Sequence, residues 1–179
     1  MGDKFNAPKI EKLQNAVEEQ VAAEAKMDTS MKVLTEKVPT DAVGIYKQGI
    51  TAFKEFLAGN FEGNPETRKK FQRDFIRGLW NILELTDVQV KAILDHFVIT
   101  IAENPQVFDY NHIMSPLFAV ESEMPSEEAT RYKRFMLFMT MYAEHARDRK
   151  RFLEKYDMVK FENMFNPVAK QRLHNYVYG

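Results

Sequence analysis

Residues 130–156 read TRYKRFMLFMTMYAEHARDRKRFLEKY, and the rest of the chain is arranged around them. On a helical wheel Phe135, Phe138, Met139 and Tyr142 share one side, with Tyr132, Met136 and Ala143 flanking it. Leu137 and Met141 reach toward the opposite side. A helix that is apolar on every side is enclosed by other helices or lies in a membrane. A membrane span needs about 20 mostly apolar residues, and here Arg134 and Glu144 bound a much shorter run. The stretch therefore predicts the central helix of an all-α protein, running from about residue 127 to 156. Met136, Met139 and Met141 suit a core, because the unbranched thioether fills irregular gaps. From Arg147 onward only Phe152, Leu153 and Tyr156 are large and apolar, so that end should leave the core with one stripe in contact.

Outward from this helix the punctuation is helical throughout. Downstream, Met158, Phe161, Met164 and Phe165 mark a short apolar segment. Asn166-Pro167 then opens a last helix carrying Val168, Leu173, Tyr176 and Val177. Upstream, Pro125-Ser126-Glu127-Glu128 launches the central helix, and Ser115-Pro116 should divide the less regular 106–123 into a turn and a short helix. Thr86 with Gln89 forms a capping box for a helix over 87–103. Asn64-Pro65-Glu66 starts another that should continue to Glu84. A helix over 41–58, capped by Thr40, carries Val43, Tyr46, Ile50, Phe53 and Leu57. Its Gly44 and Gly49 suggest close approach of a neighbouring helix, since glycine costs about 1 kcal/mol against alanine in a helix. The result is a multi-helix bundle of about seven or eight helices.

The first segment differs. Ile10, Leu13, Val17 and Val21 form a narrow stripe beside Ala22 and Ala25, on an otherwise polar helix. A stripe this narrow has the width of a coiled-coil seam rather than a core face. We divide the chain into an amphipathic helical arm over 1–38 and a helical core domain over 39–179. The arm docks either on its own domain or on another subunit.

Composition limits the chemistry. The 179 residues carry a net charge of −1, which exerts no overall pull on nucleic acid or acidic lipid. There is no cysteine, hence no disulfide or thiolate metal site. The polar start lacks the apolar core of a secretory signal, so a cytoplasmic location is expected, or the interior of a viral particle for a virion component. None of His96, His112, His145 and His174 has a glutamate three residues before it, so the Glu-x-x-His pairs of di-iron bundles are missing. No glycine-rich phosphate loop or G-x-S-x-G motif occurs. The reading therefore assigns no catalytic residue, no metal and no cofactor.

Two kinds of surface remain. Interfaces favour aromatics and methionine, which points to Ile10, Leu13, Val17 and Val21 together with Met158, Phe161, Met164, Phe165, Tyr176 and Tyr178. Basic helix faces could track phosphates: Arg68, Lys69, Arg73 and Arg77 in one helix, Arg147 and Arg151 in another. Against this, Glu144–Arg147, Asp148–Arg151 and Lys150–Glu154 stand at ion-pair spacings that suit a solvated face. The expectation is a non-enzymatic subunit, adaptor or assembly factor, a viral structural or assembly component included, working through a protein partner or as a homo-oligomer. An accessory nucleic-acid-binding protein is the alternative.

Overall fold

The computed structural model describes residues 41–163 and 165–179, excluding the side chains of Phe161 and Glu162. Among the described residues there are eight α-helices, two short 3₁₀ segments and no strand. The arm over 1–38, Thr40 and Met164 lie outside them.

Helix α1 (Ala42–Leu57) places Tyr46, Ile50, Phe53 and Leu57 on one face at helical spacing, and all four are buried. It ends with Gly59 at φ 86° and Asn60 N–H donating to Glu55 O at 3.0 Å, the reversal that glycine's left-handed freedom permits. Helix α2 (Pro65–Gly78) returns antiparallel, stacking Phe75 on Phe53 and Phe71 on Phe56. Its start follows the local signals: Asn64 Oδ1 accepts from Thr67 N–H at 2.8 Å and Pro65 occupies the first turn. Among the described residues, what stands closest to Gly44 is the side chain of Asp41, whose Oδ1 an added Cβ would meet at 3.1 Å. The small residue makes room for the carboxylate of Asp41, the N-cap, which itself sits at φ 55°.

Helix α2 does not continue to Glu84. From Leu79 the chain tightens into a 3₁₀ segment, Leu79–Glu84. Three residues per turn stacks i over i+3, which turns Leu79 and Ile82 inward together. Helix α3 (Asp87–Glu103) opens with the expected capping box: Thr86 N–H donates to Gln89 Oε1 at 3.1 Å and Gln89 N–H to Thr86 Oγ1 at 3.4 Å. Replacing Thr86 by alanine is expected to cost about 1 kcal/mol. A urea midpoint unchanged in that variant would show that water replaces the cap without loss.

Ser115-Pro116 does not break the next helix. Helix α4 runs unbroken over Tyr110–Val120 with Pro116 inside it and buried. The carbonyl that Pro116 deprives of a donor belongs to His112, an exposed residue, so water can take the place of the lost bond.

The central helix is α5, Ser126–Glu144, and Phe135, Met136, Phe138 and Met139 in it are fully buried. It stops at Glu144 rather than near 156. The chain turns at His145 and restarts as α6 (Arg149–Lys155), capped by Asp148 Oδ1 accepting from Arg151 N–H at 3.1 Å. In a continuous helix Phe152 would stand about 15 Å along the axis from Tyr142. The break folds it back until the ring centroids are 5.0 Å apart, and Phe152 is fully buried. Two short steps finish the chain: α7 (Met158–Glu162) and α8 (Pro167–Tyr178), the latter capped by Asn166. Helix α8 locks onto α3 through Arg172 Nη1–Asp87 Oδ1 at 2.8 Å and Tyr176 O–H donating to Asp95 Oδ1 at 2.9 Å.

Candidate functional site

The apolar C-terminal run is mostly turned inward. Met158, Phe165 and Tyr176 are buried against the chain's own helices, and Phe165 stacks on Trp80 at 4.3 Å. Tyr178 alone of the described members presents a large free face, at 51% exposure. Ile10, Leu13, Val17, Val21 and Met164, with the side chain of Phe161, lie outside the described residues.

The two basic clusters have different environments. Arg68 lies over the Phe56 ring, its Cζ 4.8 Å from the centroid. Lys69 and Arg73 both pair with Glu123, and Arg77 Nε meets Glu128 Oε2 at 3.1 Å. The Lys69 contact holds the Glu123 carboxyl below its ordinary range. This face is an ion-paired seam joining α2 to the start of α5. Arg147 and Arg151 are exposed at the α5–α6 corner, and among the described residues neither is joined to an acid. Among the described residues the spacings that suggested laced pairs there form none: the turn at His145 separates Glu144 from Arg147, and Asp148 caps α6 through Arg151 N–H.

A cavity of about 580 Å³ opens between the end of α3, the start of α4 and the second half of α5. Ile101, Phe108 and Ile113 form a buried apolar floor, and Leu137 forms a half-buried wall. Tyr110 stands at the mouth, 58% exposed. The rim is acidic. Asp109 caps α4, accepting from His112 N–H at 2.8 Å, with His112 Nδ1 also 2.8 Å from the same oxygen. These contacts, the backbone one foremost, hold the Asp109 carboxyl below its usual range and keep it charged at neutral pH. Glu144 is the second rim acid. Inside, Thr140 satisfies its hydroxyl locally by donating to the Met136 and Leu137 carbonyls, each at 3.0 Å. The groove is thus an apolar slot with a negative lip.

Comparison with protein-family models, with curated proteins and with solved structures finds no match.

Among the described residues no three His, Asp or Glu side chains group as metal ligands, and no helix is long and apolar enough to cross a membrane. A second cavity, about 540 Å³, lies between α3, α6 and α8, where Lys91 pairs with Asp95 at 2.5 Å and Arg172 with Asp87. The groove escapes sequence reasoning because its walls come from three helices. Its legible trace is Leu137, on the opposite side of the central helix from Phe135, Phe138, Met139 and Tyr142.

Proposed function

We propose that the protein is a non-enzymatic helical subunit, adaptor or assembly factor, and that the α3–α4–α5 groove receives an apolar helical segment of a protein partner. The observation that carries this is the slot itself, with a buried apolar floor beneath the exposed Tyr110. Asp109 and Glu144 on its lip favour basic residues flanking that segment. The reading extends to a place in the cytoplasm or, for a virion component, within the viral particle. A second reading, nucleic-acid binding, is favoured by one observation only: Arg147 and Arg151 are exposed and, among the described residues, joined to no acid. The ion-paired Lys69, Arg73 and Arg77 contribute little charge to it.

The test is the solution mass by light scattering of the affinity-purified protein, at low and high salt, with and without nuclease. A salt-resistant complex with a co-purifying protein is expected. Leu137→Lys should weaken that complex at least tenfold, about 1.4 kcal/mol, without changing the far-ultraviolet circular dichroism. A monomer that retains nucleic acid at low salt, and loses it on Arg147→Glu with Arg151→Glu, would instead establish the second reading.

A further inference from the structure

Among the described residues a smaller recess, about 190 Å³, lies where α2 and the 3₁₀ segment meet the first half of α5. Ile76, Leu79, Tyr132 and Phe135 are buried and form its apolar floor. Tyr132 turns no free donor into it, because its hydroxyl donates to the Ile113 carbonyl at 2.5 Å. An apolar cavity of roughly 150 Å³ is already large enough to take up benzene. The rim is charged, and its balance is positive. Arg77 Nε meets Glu128 Oε2 at 3.1 Å, and those two charges cancel. Arg131 is the remaining charge of the lining, its Cζ 5.2 Å from the centre of the Trp80 ring. Its own acid, Glu127, stands outside the lining with a 74% exposed side chain, so that pair lies in water and contributes little.

Trp80 supplies an independent observation. Phe165 stacks on its ring at 4.3 Å, while its Nε1 is buried and has no hydrogen-bond acceptor among the described residues. A buried donor left without an acceptor is costly. Trp80 lines the recess, and an oxygen bound there would relieve that cost. We propose that this recess is a binding site for a small monocarboxylate whose flat apolar body is about the size of a benzene ring. The body rests on the floor of Ile76, Leu79 and Phe135. The carboxylate pairs with Arg131, whose planar guanidinium can present two parallel N–H donors to it. The site is separate from the α3–α4–α5 groove, and the assignment does not depend on the groove's partner.

Trp80 is the chain's one tryptophan, so its fluorescence reports on the recess directly. The probe is benzoate, titrated into the full chain, with benzyl alcohol and benzylamine as neutral and cationic counterparts of similar size. Benzoate should shift the Trp80 emission saturably, with half-saturation below about 1 mM for so small a ligand. It should bind roughly tenfold more tightly than either counterpart, the margin of one charged hydrogen-bonded contact. Arg131→Gln, at the partly exposed rim, should erase that preference and leave benzyl alcohol binding unchanged. Ile76→Phe, which fills the floor, should abolish the shift, with the urea midpoint reporting whether the variant still folds. If it does not fold, Arg131→Gln decides. No saturable shift at about ten times the expected concentration would overturn the proposal. Equal affinity for the three probes, or a benzoate preference that survives Arg131→Gln, would overturn it too.

Discussion

Phe53→Ala should remove about 3–5 kcal/mol of folding stability, a large share of the roughly 5–15 kcal/mol that holds a domain of this kind. Phe53 is fully buried, with its ring 3.7 Å from Phe75 and nearly parallel to it, and with Phe56 and Phe108 at its edges. Truncation loses the transfer energy of the ring and leaves a cavity between α1 and α2. Phe71 stacked on Phe56 spans the same interface, so the two helices are not free to close into the gap. Urea unfolding at 25 °C checks it. Phe53→Leu, which keeps most of the volume, should cost clearly less. A loss below about 1 kcal/mol for the alanine variant would mean that the α1–α2 interface rearranges, contrary to close packing.

Alkaline pH should unfold the protein in a steep step. Tyr46, Tyr132 and Tyr176 are buried, and burial raises the pKa of each hydroxyl, that of Tyr46 to about 12. Tyr132 donates to the Ile113 carbonyl at 2.5 Å and Tyr176 to Asp95, and an ionised oxygen cannot make either bond. The unfolded chain releases these protons near pH 10. Below that pH both states hold them and stability is complete. Above it the unfolded state is favoured by about 1.4 kcal/mol per pH unit for each tyrosine, roughly 4 kcal/mol per unit for three, until pH passes the folded pKa. The urea midpoint should stay level from pH 8 to 9.5 and drop sharply between 10 and 11. Tyrosinate absorbance from these residues should appear together with unfolding. Ionisation of all seven tyrosines near pH 10 in a protein that remains folded would refute the burial account.

What could be read directly was local or periodic. Asn64 with Pro65, Thr86 with Gln89, and Asn166 with Pro167 start helices because a side-chain oxygen reaches a backbone N–H three residues on, an interaction complete within one turn. The apolar run from Tyr132 to Tyr142 identified the enclosed helix because its period and its length leave no other solution in water. The all-α class follows from these elements together.

The departures share one cause, which is that distant packing outweighs local preference. No glycine or proline marks the break after Glu144; it forms because burying Phe152 against Tyr142 and Phe138 is worth more than the few helical hydrogen bonds lost. Pro116 stays inside α4 because Ile113, Met114 and Leu117 bury on one face and the freed carbonyl belongs to an exposed residue. Nothing in the residues 68–77 announces that Glu123 and Glu128 neutralise their basic side chains from about fifty positions away. The groove is decided in the same way, since Ile101, Tyr110 and Leu137 meet only after three helices cross. Helix type and caps follow from energies exchanged within a turn, and the sequence carries those in order. Which faces are covered, which charges are cancelled and where a slot remains depend on energies exchanged between segments far apart along the chain, and those exist only once the bundle has closed.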